Sequence, residues 1–354
     1  MKTEIIQINP ENPEPNKIAH CAKILREGGL VAFPTETVYG LAANLEHKKA
    51  INRLFEVKKR SQAKPFSVHI SEKEQIENYA VNLKPVVYKL IDKFWPGPLT
   101  VIVPGKEGDT VGIRMPRNPI ALKLIAAADV PIVAPSANLS SNPPPKTVDE
   151  VLRDLNGLIE AAIDGGKTEL GIESSVADLT KTPAQILREG AIPEKELQAV
   201  INKKTVLFVC TGNSCRSVMA QALFKKMTAD RDDLEVLDAG VVANSGMAPT
   251  EDTVALLQKE GIDVRSHKAI PLSDMMVKKA DIILVMEKLQ EERILQRVPS
   301  AKNRLYLLRE FAGMAGAGPA ADLNIYDPIG KPTEVYEECF NTIKEAIKRI
   351  VELI

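Results

Sequence analysis

The sequence predicts two α/β units in series, the second built on a doubly wound parallel sheet. Three observations carry this. At 354 residues the chain is longer than one hydrophobic core ordinarily organises. Short apolar runs alternate with helical patterns along most of its length, the rhythm of α/β folds. A polar connector, PEKELQAVINKKT (193–205), separates two such series, and the boundary falls near 200–204, giving units 1–202 and 203–354.

In the first unit, residues 15–30 read as a helix stopped by Gly28 and Gly29. The strand LVAF (30–33) ends at Pro34, and FSVHI (66–70), LTVIV (99–103) and IVA (132–134) read as further strands. The second unit opens on VLFV (206–209), apolar throughout as a buried parallel strand should be. A helix from about Ser217, the strand LEVLDAG (234–240), a helix from about Thr250 and the strand IILVM (282–286) follow. A closing helix, about 333–353, shows an apolar stripe at Val335, Phe340, Ile343, Ile347 and Ile350. The small-residue loop at 312–321 reads as mobile.

A net charge of -1 argues against a dedicated polyanion binder but permits local basic pockets. Four cysteines, Cys21, Cys210, Cys215 and Cys339, make no disulfide framework in so long a chain and suit a reducing compartment. The opening MKTEIIQINP lacks the layout of a secretion signal. The most apolar stretch, Ile120 to Pro135, is interrupted by Lys123, Asp129 and Pro131, so a cytoplasmic location is expected.

The segment VLFVCTGNSCRS puts Cys210 at a strand's end and Arg216 six residues later, just before a helix. A loop in that position turns backbone N–H groups inward and cradles an anion. The same potential favours a thiolate over a thiol. Arg216 can grip two oxygens of a bound phosphate. Gly212 would allow a tight turn, while Thr211, Asn213, Ser214, Cys215 and Ser217 complete the loop, Asn213 and Ser217 by hydrogen bonds that hold it. A phosphocysteine mechanism also needs a proton donor for the leaving group, and Asp327 in YDPIG suits that. The competing reading of Cys210 and Cys215 as metal-binding thiols needs more neighbouring Cys or His than the chain supplies.

Residues 204–354 resemble the low-molecular-weight protein tyrosine phosphatase family through CTGNSCRS, DAG (238–240), SH (266–267) and DP (327–328). The resemblance implies a flavodoxin-like fold, Cys210 as nucleophile, Arg216 as phosphate clamp, Asp327 as general acid and His267 as a buried support of the loop. Tyrosine-directed members usually carry a bulky aliphatic residue where this chain has Ser214, and aromatic residues after the Asp-Pro, where this chain has Ile329 and Gly330. A small hydroxyl residue at 214 is similar to the bacterial protein-arginine phosphatase branch, so phosphoarginine is the expected substrate and phosphotyrosine the alternative. Arsenate reductases of the same fold need a further downstream cysteine pair, and only Cys339 is there. A non-catalytic phospho-ligand reader would not need Asp327.

In the first unit, PTETVYGL (34–41), KKR (58–60), KPFSVH (64–69), WPGPLT (95–100), GIRMP (112–116), PSANLS (135–140), GIESSVAD (171–178) and LREGAI (187–192) read as a binding site. Lys58, Arg60, Arg114 and Arg188 supply charge for a triphosphate, and Thr35, Ser136, Asn138 and Ser174 supply hydroxyls and an amide for a small polar substrate. The set, across about residues 5–200, closely resembles the YrdC-like threonylcarbamoyl-AMP synthases. The resemblance implies a twisted open α/β sheet and a reaction of L-threonine, bicarbonate and ATP, with Mg²⁺ on the triphosphate, giving an adenylate that partner proteins use in tRNA modification. It assigns ATP to Lys58, Arg60, Ser136, Asn138 and Arg188, and threonine to Thr35, His69, Arg114 and Ser174. The chain reads PPPKT (143–147) where members often read P-S-P-T. A non-catalytic tRNA- or RNA-binding module is the rival reading; the intact K-x-R and S-x-N elements argue against it.

Overall fold

A computed structural model describes residues 2–59, 61, 66–314 and 322–354. The chain forms two compact units, Met1–Ile201 and Asn202–Ile354. Arg60 and most of the small-residue loop lie outside the described residues.

Ten strands build the first unit: β1 (Glu4–Gln7), β2 (Val31–Phe33), β3 (Gly40–Asn44), β4 (Val68–His69), β5 (Leu99–Pro104), β6 (Thr110–Arg114), β7 (Ile132–Val133), β8 (Ala161–Asp164), β9 (Ser175–Asp178) and β10 (Gln185–Arg188). They form one mixed sheet in the order β1-β8-β2-β3-β7-β4-β6-β5-β9-β10. Helices Pro15–Arg26 and Pro119–Ala128 cover one end of it, burying Ile18, Cys21, Leu25, Ile120 and Leu124 against Val31, Phe33 and Ile163. Such burial is the main favourable term in holding the layer together. The first helix stops at Arg26, and Gly28 beyond it takes a positive φ of 86°, the left-handed turn glycine accommodates.

The second unit has four strands, β11 (Lys204–Cys210), β12 (Leu234–Gly240), β13 (Ile282–Val285) and β14 (Leu305–Leu307), all parallel, in the order β12-β11-β13-β14. Alternation along β11 explains its continuous apolar run. Val206 and Phe208 face the helices Arg216–Met227 and Thr333–Leu353, while Leu207 and Val209 pack on the opposite side with Val277 and Ile294. The closing helix spans Thr333–Leu353 as expected, with Phe340, Ile343, Ile347 and Ile350 buried. Val335 is 38% exposed, contrary to the expected stripe, because Tyr336, four residues before Phe340, takes the buried position in that turn. No helix among the described residues is long and apolar enough to cross a membrane.

Candidate active sites

The site of the first unit is a consequence of strand register. β4 and β6 run parallel and end together, placing His69 beside Arg114. β5 returns antiparallel to β6, with Thr100 opposite Arg114. β9 runs parallel to β5 with Val176 opposite Thr100, and β10 brings Arg188 opposite Val176. Laterally paired residues share a sheet face, so His69, Arg114, Thr100, Val176 and Arg188 form one rung across five strands. With Ser136 and Ser174 they line a cavity of about 290 Å³. Gly112 also lines it, and a Cβ there would meet Ser67 Oγ at 2.9 Å.

Arg114 is anchored from behind. Its Nη2 donates to Glu36 Oε1 at 2.8 Å and to Thr37 Oγ1 at 2.7 Å, and Glu36 also accepts the Arg117 N–H at 3.0 Å. Arg114 and Glu36 are both buried, and Arg114 Nε has no hydrogen-bond partner among the described residues. Thr35 does not line the cavity. Its hydroxyl donates to the Val38 carbonyl and sits 2.8 Å from Thr37 Oγ1, which ties it to Arg114 indirectly. Arg188 donates from Nε to the Ser174 carbonyl at 2.9 Å and from Nη1 to Glu173 at 2.8 Å, while Ser174 Oγ lies 2.9 Å from Thr100 Oγ1. Lys58 is buried, and its Nζ donates to the Ser136 carbonyl and to Asn138 Oδ1, the latter at 3.1 Å. Five of the nine proposed residues line the cavity, Lys58 and Asn138 join it through Ser136 and Thr35 through Thr37, while Arg60 lies outside the described residues. Glu36 and Thr100 were not singled out. Glu36 sits among turn residues and Thr100 inside a strand, where either reads as local structure.

His69 donates from Nδ1 to the Ser67 carbonyl at 3.2 Å, which leaves Nε2 as an acceptor. Burial, reinforced by Arg114, pushes its pKa down to about 3, so the ring is neutral near pH 7. Unfolded, the ring titrates near ~6.5. Between these values the unfolded chain binds the extra proton, so the stability of the first unit is complete above about pH 6.5 and falls as pH drops toward 3. Urea midpoints for the first unit should fall more steeply from pH 7 to 4 in the unsubstituted protein than in His69→Gln; equal slopes would contradict a buried neutral imidazole.

In the second unit Cys210 closes β11, and the chain turns through residues 211–215 into the helix Arg216–Met227. Cys210 Sγ lies 3.1 Å from Ser217 Oγ and accepts the Asn213 N–H at 3.2 Å. The tight turn falls on Asn213, whose φ is +53°, rather than on Gly212. A Cβ at Gly212 would meet only ordinary contact, so the expected role of that glycine is not observed. Asparagine tolerates the left-handed region because its amide bonds locally. Here the amide donates to Ser217 Oγ at 3.0 Å and Asp238 Oδ2 at 2.5 Å and accepts the Ile270 N–H at 2.7 Å. His267 donates from Nε2 to the Asn213 carbonyl at 3.1 Å, a support role. Burial raises the Asp238 pKa against the pull of Asn213 and His267. Gly240 is required by close approach: a Cβ there would lie 2.7 Å from the Thr211 carbonyl and 2.8 Å from the Asn213 nitrogen.

Arg216 is fully buried. Nη1 donates to Glu287 Oε2 at 2.6 Å and to the Ile325 carbonyl at 2.8 Å, while Nη2 reaches Asp327 Oδ2 and, at 3.4 Å, Thr211 Oγ1. Its Nε has no hydrogen-bond partner among the described residues. Burial works against its charge, but Cys210, Asp327 and Glu287 together push its pKa above the usual value. Asp327 Oδ1 lies 3.5 Å from Cys215 Sγ, whose thiol is pushed up by burial and then by Cys210 and Asp327. Ser214 is buried; its carbonyl accepts the Thr250 N–H at 3.0 Å and its hydroxyl has no hydrogen-bond partner among the described residues. All nine residues expected of this loop and its acid converge. Glu287 was not anticipated, lying seventy-one residues beyond Arg216.

Two family models match the chain: Sua5/YciO/YrdC, described as "Telomere recombination", over residues 23–190, and "Low molecular weight phosphotyrosine protein phosphatase" over residues 205–354. A threonylcarbamoyl-AMP synthase of Pyrococcus abyssi is 39% identical over 268 residues, which cover 73% of this chain and 78% of the relative. The crystal structure of P. abyssi Sua5 complexed with L-threonine is similar at 29% identity and a TM-score of 0.55, covering 86% of this chain and 99% of that one. The YwlE arginine phosphatase from Geobacillus stearothermophilus is similar at 31% identity and a TM-score of 0.38, covering 42% of this chain and 92% of that one. The chain therefore belongs to the threonylcarbamoyl-AMP synthase family, and its second unit is a domain of the low-molecular-weight phosphotyrosine protein phosphatase family.

Proposed function

We propose that the first unit joins L-threonine, bicarbonate and ATP into threonylcarbamoyl-adenylate, and that the second hydrolyses phosphoarginine on proteins through a phosphocysteine on Cys210. The observation that carries the first half is the five-strand rung. It sets a fixed guanidinium, a neutral imidazole and a hydroxyl on one wall of a cavity sized for a small polar substrate. Arg114 takes the threonine carboxylate with the guanidinium donors that Glu36 and Thr37 do not engage. His69 orients rather than deprotonates, since a pKa near 3 makes it a poor base at neutral pH. Threonine nitrogen bonds to the bicarbonate carbon with loss of water. The resulting carbamate oxygen then attacks the α-phosphorus of ATP, and pyrophosphate leaves. Lys58, Arg60, Ser136, Asn138 and Arg188 are the proposed ATP contacts. Mg²⁺ brought in with ATP would neutralise charge on the triphosphate. No group of three or more His, Cys, Asp or Glu among the described residues is placed to hold an ion, and no step is routed through one. The adenylate passes to tRNA-modification partners.

Glu36→Gln should raise the threonine KM about tenfold while changing kcat little, because it loosens Arg114 without touching the reacting atoms; a tenfold change corresponds to ~1.4 kcal/mol. Equal loss in kcat and kcat/KM in steady-state assays would place Glu36 in the chemistry instead.

In the second unit the Cys210 thiolate attacks phosphorus, the phosphorus–nitrogen bond breaks, and Asp327 protonates the departing guanidine. Water, deprotonated by Asp327, then releases phosphate. Substrate phosphate would take the Arg216 fork and free Asp327 for this work. The unpartnered hydroxyl of buried Ser214 and the Ile329–Gly330 pair after the Asp-Pro support phosphoarginine. One observation favours phosphotyrosine: Tyr326, directly before Asp327, is 66% exposed and offers a ring at the rim. Hydrolysis of matched phosphoarginine and phosphotyrosine peptides by the whole chain decides between them. A preference for phosphoarginine supports the proposal, and a preference for phosphotyrosine replaces that half of it.

A further inference from the structure

A second cavity of about 940 Å³ adjoins the phosphate loop through Asp238 and His267, both of which line it and bond to Asn213. Its volume falls within the range of small-molecule sites. The wall is apolar at Ala222, Ile262, Val264 and Ala269; the rim carries Lys225, Lys226 and Lys268 with the hydroxyls of Ser245 and Ser266. Lys225 and Lys268 are exposed and make no ion pair among the described residues. Of the two acids at the cavity, Asp263 is engaged by Arg265 at 2.9 and 2.7 Å. Asp238 is buried at the floor and bonded to Asn213. The charge at the rim of this space is therefore mainly positive, although Lys225 also acts on buried Asp238 and Lys226 bonds to the Glu260 carbonyl, and hydroxyls accompany it. Positive side chains with hydroxyl donors around an apolar slot suit a phosphoryl group.

The floor is His267, which lines the cavity and donates to the Asn213 carbonyl, the residue whose own N–H reaches Cys210. We propose that this cavity binds a small phosphorylated anion and that its occupancy reaches the phosphate loop through His267. Two sources have the required chemistry: inorganic pyrophosphate, and AMP, the leaving group when an adenylate is consumed. The naming of these sources, though not the site itself, rests on the synthase reading of the first unit.

The chain has four histidines, so the His267 ring signal can be followed by histidine-selective NMR on the full-length protein. The phosphatase loop is first filled with orthovanadate, and complete loss of phosphate release in the same sample shows that it is occupied. Pyrophosphate, AMP and orthophosphate are then titrated in separate arms. The proposal predicts a saturable shift of the His267 signal with pyrophosphate or AMP. It predicts at least tenfold weaker binding in Lys225→Glu/Lys268→Glu, with vanadate-free phosphatase activity unchanged. No shift in any arm, or a shift equally strong in the double variant, would overturn it. The arm with the tighter midpoint identifies the source. Failure of the synthase reading would appear separately, as absent threonine-dependent pyrophosphate release with this titration unaffected.

Discussion

Cys210→Ser is expected to abolish phosphate release from any phosphoprotein substrate, by at least about 10,000-fold, the scale seen when a covalent nucleophile is removed. The site converges on the Cys210 sulfur. The Asn213 N–H and Ser217 hydroxyl lie at 3.2 and 3.1 Å from Sγ, and the Arg216 guanidinium is held in the same loop by Glu287. A serine hydroxyl keeps the shape but is a weak nucleophile without an adjacent base, and no histidine touches position 210. The change is small in volume, so the fold should survive with less than ~1.5 kcal/mol lost. Phosphate should still bind, because the Asn213 amide, the start of the helix at Arg216 and the guanidinium remain. Phosphate-release kinetics, paired with a thermal melt, check this. Measurable turnover above about one per cent in the serine variant would remove Cys210 from the chemistry.

Arg114→Ala should cut threonine-dependent pyrophosphate release by about a thousandfold, most of it in threonine KM, since a charge-assisted contact and its fixed geometry go together. This substitution also leaves Glu36 buried and unpaired, a defect that costs ~3–5 kcal/mol where partners are removed singly. A second variant separates the two effects. Arg114→Met combined with Glu36→Gln removes the charge pair while keeping volume, and should fold with a melting temperature near that of the parent yet remain inactive. Arg114→Lys keeps the charge but not the fork and should fall between the two. Full activity in the Met/Gln protein would show that Arg114 serves the fold alone.

The second unit was the more legible in sequence because its chemistry is nearly contiguous. Residues 210–217 carry the nucleophile, the clamp and the loop, and the apolar run before them has a single reading as a buried strand. Only Asp327 and Glu287 come from afar, and Asp327 was found because an Asp-Pro pair is conspicuous whereas Glu287 sits in an ordinary helix cap. The tight turn was misassigned to Gly212 because glycine is the usual owner of a positive φ; Asn213 holds it by spending its side chain on three partners. In the first unit, LVAF, FSVHI, LTVIV and IVA were readable, but β9 and β10 are four residues each, too short to show a period. The sheet order is set by register between distant strands, so nothing local could reveal that Thr100 stands opposite Arg114. Glu36 was hidden likewise, its partner being seventy-eight residues away.

The central claim is that one chain carries two separate catalytic sites. The most direct test assays Cys210→Ser and Arg114→Met/Glu36→Gln side by side, each for threonine- and bicarbonate-dependent pyrophosphate release from ATP and for phosphate release from a phosphoarginine peptide. The account predicts that the first variant loses only phosphate release and the second only pyrophosphate release. Loss of both activities in either folded variant, or of neither, would contradict it.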